Sequence, residues 1–454
     1  MKLSGKEKMA YGIGAIGKDM VYMLTASYIL YYYEDIMGIS AVFTGMLLLI
    51  ARVFDAMNDP IMGVVVAKTK TKFGKFRPWL LSGTVLNALV LYAMFAIPEG
   101  MKGNALLIYA AAAYILWGVT YTMMDIPFWS MIPAFSNDGK ERESLSTLGR
   151  TCAGVGSAIV TVVTVKAVQI LGQGNEREGF KWFALIVAVL FAISAIIMCV
   201  CIKEKSTVDM ETTSVKEMFR ALLKNDQAMV SVIAIVLINC SIYLTSNLVI
   251  YFFKYDFGGA AWENDYTLFT AFGGGIQILS MMLLFPLLRK KLNIRQVFYA
   301  ALGMAITGYV VLLVLACTCM SNVFLLFIPG AFIFGANGVL SVLTTVFLAN
   351  SVDYGEWKNG RRDESVIFSM QTFVVKLASG VSALLAAICL AVFHISDNTE
   401  AAAQVAQSSV MGLRLTMTIF PIVGLLVAVW FFSKKFILDD EKVQEIVEAL
   451  KNSK

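Results

Sequence analysis

The chain has 454 residues, of which 58% are hydrophobic and only 15% are charged. Soluble globular domains carry roughly 25% charged residues, so this composition excludes that class and indicates a polytopic membrane protein. The net charge of +5 does not indicate a nucleic acid partner, because the basic residues are gathered in particular loops, which is a mark of membrane topology.

Twelve stretches of the sequence are apolar and long enough, at about 20 residues each, to cross a bilayer as helices. We therefore predict an all-α membrane protein with twelve transmembrane helices. The predicted spans are 10–33, 41–67, 78–98, 104–131, 146–171, 179–202, 228–253, 265–288, 295–319, 322–349, 365–394 and 407–433.

The distribution of Lys and Arg over the loops predicts the orientation of the chain. If the N-terminus lies in the cytoplasm, the loops and termini on that side hold 27 basic residues, and the opposite loops hold only Lys102, Arg177, Lys181 and Lys254. Because basic residues are enriched on the cytoplasmic side of a membrane, both termini are predicted to be cytoplasmic.

The longest polar break between spans, residues 203–227, predicts a cytoplasmic loop between two six-helix bundles, residues 1–202 and 228–437. This layout is typical of two-lobed transporters whose halves rock around a central site. The final stretch, 438–454, has apolar residues at helical spacing and predicts an amphipathic helix on the cytoplasmic side.

Charged residues interrupt the second span, in the sequence Arg52-Val-Phe-Asp55-Ala-Met-Asn58-Asp59-Pro60. Asp55 and Asp59 are four residues apart, so they share one face of a helix, with Arg52 one turn earlier. An unneutralised Asp near the bilayer centre costs ~2.5–3.5 kcal/mol, so such residues are usually retained to hold a cation or a proton.

Other spans contain charged residues as well: Lys18, Asp19, Asp125, Arg150 and Lys376. Buried charges must be paired or face water, so we expect these side chains to converge on one cavity between the halves. Four basic residues stand against four acidic ones, and a mutually neutralised cluster without any ligand is the alternative. Nearby amide and hydroxyl groups, from Asn58, Tyr121 and Thr122, favour a hard cation such as sodium, or a proton.

The fourth span contains Asp125 and Trp129, which are four residues apart and face the same way. Pro127 between them frees a backbone carbonyl at that depth. A carboxylate beside an aromatic ring is a common arrangement for binding sugars, since the ring covers the C–H face of the sugar. A tryptophan of the membrane-interface belt next to a structural Asp is the alternative.

Six segments together carry a resemblance to one transporter family. They are Gly14-Ala-Ile-Gly-Lys18-Asp19, Tyr31-Tyr-Tyr, Arg52-Val-Phe-Asp55-Ala-Met-Asn58-Asp59-Pro60, Gly74-Lys-Phe-Arg-Pro-Trp79, Tyr121-Thr-Met-Met-Asp125-Ile-Pro-Phe-Trp129 and Val352-Asp-Tyr-Gly-Glu356. With these segments the chain resembles the melibiose permease branch of the glycoside–pentoside–hexuronide:cation symporters.

The resemblance implies a major-facilitator fold and import of a melibiose-like galactoside or other glycoside in symport with Na⁺, H⁺ or Li⁺. It implies a bacterial inner-membrane carrier with no enzymatic activity and no cofactor besides the co-transported cation, and we expect a monomer. By motif position, the cation site is Asp55, Asn58, Asp59 and Thr122. The sugar site is Lys18, Asp19, Tyr121, Asp125, Trp129 and Arg150, and the eleventh helix closes the cavity with Gln371, Thr372 and Lys376.

Two residues depart from the pattern of that family. Ala26 and Ser341 stand where the melibiose branch tends to have aromatic residues, which implies a different choice of sugar rather than a loss of cation coupling. A further hypothesis is that Arg142, Arg295 or Arg362 pairs across the two halves as an inner gate; solvated loops are the alternative.

Other functions remain open at this point. A carrier of lysolipids or other amphiphiles, and a glycoside or hexuronide symporter of another specificity, would share the predicted fold. A membrane-embedded hydrolase is disfavoured, because the only histidine, His394, lies near the end of a span and away from the carboxylates. A channel would conduct without saturable, sugar-dependent cation flux.

Overall fold

The computed structural model describes residues 4–131, 139–202, 223–259, 261–320, 322–360, 364–395 and 407–452, with the single positions 216 and 220. These residues are almost entirely helical and contain no β-strand. By Cα proximity the chain divides into two compact units, Met1–Thr212 (unit 1) and Thr213–Lys454 (unit 2).

Unit 1 contains six long helices. Capping side chains define two of their starts: Ser4 and Glu7 form a capping box at the first, and Asn175 accepts a hydrogen bond from the Glu178 amide at the sixth. The helices are α1 (Gly5–Tyr31), which continues as a π-helical turn (Tyr32–Ile36), α2 (Ala41–Lys68), α3 (Arg77–Phe95), α4 (Gly103–Ser130), α5 (Gly139–Gly172) and α6 (Glu176–Cys201).

Unit 2 contains six further long helices and a short terminal one. They are α7 (Asp226–Tyr251) with a π turn (Phe252–Phe257), α8 (Trp262–Leu279), which continues through a π turn (Ser280–Leu284) into Phe285–Arg289, α9 (Ile294–Thr318), α10 (Val323–Asn359), α11 (Glu364–Val392), α12 (Gln407–Lys435) and α13 (Asp440–Asn452).

The helices α1 to α12 correspond to the twelve predicted spans. Within the described part of the chain, eleven of them, α2 to α12, are long and apolar enough to cross a membrane. The remaining helix, α1, has 27 residues, but Lys18 and Asp19 at its middle make it more polar. The predicted class, an all-α membrane protein, is confirmed.

Helix α1 lies at the centre of unit 1 and is fixed there by close packing and by tyrosines. Gly17 lies against Ser194 of α6, and Gly156 of α5 lies against the carbonyl of Ile16, with no room for a side chain at either glycine. At the far end of α1, four tyrosine hydroxyls donate to four other helices: Tyr28 to Thr161 O at 2.8 Å, Tyr31 to Glu176 Oε2 at 2.6 Å, Tyr32 to Phe95 O at 2.8 Å and Tyr33 to Ala110 O at 3.1 Å.

The core of unit 2 is aromatic at the end that holds the terminal helix. Phe298, Phe347, Phe432 and Phe436 are each at most 1% exposed and pack together. Helix α13 docks on this core through Ile446, and its start is held by Arg289, which donates two hydrogen bonds to Asp440 at 2.9 and 3.0 Å. The tail segment is therefore an integral part of unit 2.

Candidate functional site

Helix α2 has two faces of opposite character. Val53, Phe54 and Met57 are between 42% and 59% exposed, whereas Arg52 is 3% and Asp55 6% exposed. With 3.6 residues per turn, the charged residues of this helix therefore lie on the face opposite to its exposed apolar side chains. The second-span carboxylates face protein, as a functional role requires.

Asp55 contacts the Arg52 side chain on its own helix and Gly118 on α4. Arg52 Nη1 lies 3.5 Å from Asp55 Oδ2, and the Arg52 guanidinium lies 5.5 Å from the ring centre of Tyr22 on α1. The carboxylate occupies the space beside Gly118 where any other residue would place its Cβ. Gly118 therefore lets α2 and α4 approach closely enough for Asp55 to reach the interior of unit 1.

Asp59 contacts α4 one turn further along the same face of α2. The Thr122 hydroxyl donates a hydrogen bond to Asp59 Oδ1 over 3.0 Å. Asn58, between the two carboxylates, is half-buried. Of the predicted cation ligands, the structure thus brings Asp55, Asp59 and Thr122 together at the contact between α2 and α4, with Asn58 on the adjoining part of α2.

Lys18 is the centre of a second cluster. Its ammonium group lies 2.8 Å from Asp125 Oδ1, 3.1 Å from the Tyr121 hydroxyl and 3.4 Å from Asp19 Oδ2. Ser157 of α5 donates to Asp19 Oδ1 at 3.4 Å. One buried cation therefore joins a carboxylate of α1 to a carboxylate of α4, and its lost hydration is compensated by three oxygen atoms.

Aromatic rings enclose the Lys18 ammonium group. It lies 5.2 Å from the ring centre of Trp129, 5.5 Å from that of Tyr121 and 5.6 Å from that of Phe128. Trp129 donates its indole N–H to Asp125 Oδ1 at 3.1 Å, and the Arg150 guanidinium lies 5.9 Å from the Trp129 ring. Trp129 therefore belongs to the charged cluster, which supports its interpretation as a binding residue over an interface-belt residue.

A single stretch of α4, residues 117–125, connects the two clusters. Gly118 and Thr122 contact Asp55 and Asp59, and Tyr121 and Asp125 contact Lys18. We call residues 117–125 the α4 centre. Any displacement of the α4 centre along the helix axis changes the geometry of both clusters at once.

Comparison with known proteins places this architecture. Residues 10–440 match the family described as MFS/sugar transport protein. The chain belongs to this family. It is thus a membrane transporter of the major-facilitator fold and not an enzyme, and the resemblance seen in the sequence is confirmed.

The sequence matches to individual relatives extend over nearly the whole of this chain. It is 27% identical to the lactose permease of Lactobacillus delbrueckii subsp. bulgaricus over 99% of this chain and 73% of that protein. It is 26% identical to the inner membrane symporter YicJ of Escherichia coli over 100% of this chain and 96% of that protein. Among solved structures, a proton-dependent oligopeptide transporter shares the fold, with a TM-score of 0.68 and 14% identity over 98% and 99% of the two chains.

The two clusters of unit 1 contain fewer basic than acidic side chains. At the middle of its helices, three cations, Lys18, Arg52 and Arg150, stand against four carboxylates, Asp19, Asp55, Asp59 and Asp125. The balance of four against four expected from the sequence included Lys376, which belongs to unit 2.

The remaining predicted residues are placed less fully. Lys376 is half-buried on α11, and the side chains of Gln371, Thr372 and Arg142 and the whole of Arg362 lie outside the described residues. Ser341 donates to Asn337 O at 2.8 Å within α10, and Ala26 is half-buried on α1.

Arg295 contacts the tail of unit 2. Its guanidinium donates to the carbonyl of Phe436 and lies 3.8 Å from Asp439. Both partners belong to the tail of unit 2. These contacts anchor the tail, and the gate prediction for Arg142, Arg295 and Arg362 stays a prediction.

Several contributing residues escaped the sequence analysis. Tyr22 lies one turn after Lys18, a spacing that places it on the same face of α1, and it contacts Arg52. Gly118 lies one turn before Thr122, but nothing in its immediate sequence marks it apart from other small residues of the spans. Ser157 could be found only from the packing of α5 on α1, which the sequence does not specify.

Proposed function

We propose that the protein imports a galactoside or related glycoside in symport with Na⁺ or H⁺, by alternating access. The observation that carries this proposal is the α4 centre, which contacts the α2 carboxylates and the Lys18 cluster within nine consecutive residues. The names of the relatives, a lactose permease and a symporter, support the same reading. The distribution of basic residues predicts that both termini lie in the cytoplasm.

The cation site of this proposal lies between α2 and α4. Carboxylate oxygens of Asp55 and Asp59, the Thr122 hydroxyl and the Asn58 amide supply the hard oxygen ligands that an alkali cation prefers. These donors are all oxygen atoms, which fits an alkali cation better than a transition metal. A proton on one of the two carboxylates is the alternative to an alkali cation.

The sugar site of this proposal is the Lys18 cluster. The side chains of Asp19 and Asp125 are 17% and 19% exposed, whereas that of Lys18 is 5% exposed. The carboxylates thus remain accessible to sugar hydroxyl groups while the ammonium group is enclosed. In this proposal Arg150 is a further hydrogen-bond donor for the sugar, and Trp129 offers a ring face for the C–H groups of the pyranose.

Coupling follows from the geometry of α4. A cation between Asp55, Asp59 and Thr122 draws α2 and α4 together, and this fixes the α4 centre, where Tyr121 and Asp125 meet Lys18. Sugar and cation then raise each other's affinity by the same factor.

The proposal is tested by uptake into membrane vesicles under an imposed sodium or proton gradient, with α- and β-galactosides such as melibiose and lactose. We expect gradient-driven accumulation of at least one galactoside. The Asp59→Cys variant should lose accumulation and retain exchange of sugar across the membrane. Glu99→Cys, a change of the same kind at an exposed position between α3 and α4, is the control and should accumulate sugar normally.

Two results would overturn the proposal. One is accumulation that does not depend on either gradient. The other is an Asp59→Cys variant that accumulates sugar as well as the Glu99→Cys control at equal amounts of protein in the membrane.

A further inference from the structure

The side of the α4 centre that faces away from the two clusters packs on α3. Helix α3 has an exposed apolar face and a buried face: Val85 and Leu89 are 50% and 63% exposed, whereas Thr84 and Asn87 are 1% and 0% exposed. Its buried face therefore carries polar residues, and one of them, Asn87, contacts the α4 centre.

Asn87 binds the first half of the α4 centre. Its amide nitrogen donates to the carbonyl of Trp117 at 2.9 Å and to the Thr120 hydroxyl at 3.0 Å. Both acceptors lie within a turn of Gly118, which contacts Asp55. A hydrogen bond is stronger in an apolar interior than in water. The hydrogen bonds donated by Asn87 therefore fix the axial position of α4 relative to α3.

Gly83, one turn before Asn87, contacts the second half of the α4 centre. A Cβ at Gly83 would lie 2.8 Å from the Met124 amide nitrogen and 3.0 Å from the Met123 carbonyl carbon. The two backbones therefore touch directly, beside Thr122 and Asp125. Glycine contacts of this kind permit the closest approach of two membrane helices.

We propose that Gly83 and Asn87 are positioning residues that set the axial position of the α4 centre and thereby the coupling between cation and sugar. This inference rests on the proposed function. Gly83 contacts the end of the α4 centre and Asn87 its start, so the two residues hold it at both ends from the side opposite the ligands. We call them the α3 clamp.

The hydrogen-bonding state of Asn87 supports a positioning role over simple packing. Within the described residues, the Asn87 side-chain oxygen has no hydrogen-bond partner although it is fully buried. Leaving a buried acceptor unsatisfied costs about 1–3 kcal/mol, and an apolar residue of similar size would avoid this cost. The donated hydrogen bonds are the feature that only a side chain such as Asn supplies here.

Asn87→Leu tests the clamp, because it keeps the approximate volume and removes both hydrogen bonds. Thr84→Val is the matched control: it lies on the same buried face, and the Thr84 hydroxyl has no hydrogen-bond partner within the described residues. The measurement is the sugar Kd of purified protein in detergent or nanodiscs, without and with saturating cation. The ratio of the two Kd values is the coupling factor.

We expect the wild-type coupling factor to lie in the range typical of allosteric coupling, about 5–150-fold. The coupling factor of Asn87→Leu should be smaller than the wild-type factor by about threefold or more. Thr84→Val should keep the wild-type factor. Thr120→Val, which removes one of the two acceptors, should give a smaller fall and serves if Asn87→Leu does not fold. Gly83→Ala should also lower the factor, because its Cβ displaces the backbone of α4.

An Asn87→Leu protein of reduced yield but unchanged coupling factor would make Asn87 a purely structural residue and overturn the clamp. A Thr120→Val protein with an unchanged factor would overturn it as well. If the wild-type Kd for sugar does not depend on cation at all, the proposed function fails, and this result is distinct from either failure of the clamp.

Discussion

The Lys18 ammonium group lies 2.8 Å from Asp125 Oδ1 and so joins the middle of α1 to the middle of α4. Neither residue is placed by local sequence alone, since 107 positions separate them. The pair is largely buried, at 5% and 19% side-chain exposure. In a buried ion pair each charge is stabilised by the other, so removal of one partner leaves an uncompensated charge in the interior.

Removal of Lys18 should destabilise the protein more than removal of the whole pair. Lys18→Ala leaves Asp19 and Asp125 without their shared cation, and breaking a buried pair in this way costs about 3–5 kcal/mol. The double variant Lys18→Ala/Asp125→Ala should recover part of that loss. The double-mutant cycle consists of the wild type, Lys18→Ala, Asp125→Ala and the double variant. Thermal unfolding of these four proteins measures the coupling energy between Lys18 and Asp125. Additive effects would show that the pair does not act as a unit.

Substitution of Thr122 should weaken cation binding through the loss of one hydroxyl. Thr122→Val removes the hydrogen bond to Asp59 over 3.0 Å and keeps the side-chain shape. The variant removes one oxygen ligand of the proposed cation site, so the cation Kd should rise about tenfold, which corresponds to about 1.4 kcal/mol. Thr122→Ser retains the hydroxyl and should stay near the wild type. Equal cation affinities in Val and Ser variants, measured by titration calorimetry, would remove Thr122 from the site.

Gly118 is expected to tolerate no side chain. Its missing Cβ leaves the space that the Asp55 carboxylate occupies, so Gly118→Ala should displace Asp55 and lower cation affinity. Gly63→Ala on α2 is the control, because a Cβ there meets nothing within 4 Å. Both variants add one methyl group to a membrane helix, and sodium or proton titration of sugar binding compares them. A Gly118→Ala protein that responds to cation like Gly63→Ala would contradict the packing argument.

The two chemical groups of Trp129 should separate in binding measurements. Trp129→Phe keeps a ring for sugar stacking but loses the N–H that donates to Asp125 at 3.1 Å; Trp129→Ala loses both. Stacking of aromatic groups contributes roughly 0.5–1.5 kcal/mol beyond buried area, so sugar affinity should decrease from wild type to Phe and further to Ala. Equal losses in the two variants would assign the effect to the hydrogen bond alone.

Local chemistry predicted the membrane class, the twelve spans and the charged residues within them, and the family resemblance divided those residues between a cation site and a sugar site. Asp55 and Asp59 share a face of the helix because they are four residues apart. A charged residue within an apolar span is costly and therefore indicates a functional position. The packing partners were beyond this reasoning. Tyr22, Gly118 and Asn87 look like ordinary residues of a span until the neighbouring helix is known, and the setting of Arg295 depends on where the tail docks.

The central claim is that one cation on the α2 carboxylates and one sugar on the Lys18 cluster favour each other through the α4 centre. Titration calorimetry tests it directly, with the sugar Kd measured at zero and saturating Na⁺ or at two pH values, and the cation Kd measured without and with sugar. The account predicts that both affinities rise by one and the same factor. Sugar binding with a Kd that is unchanged by either cation would contradict it.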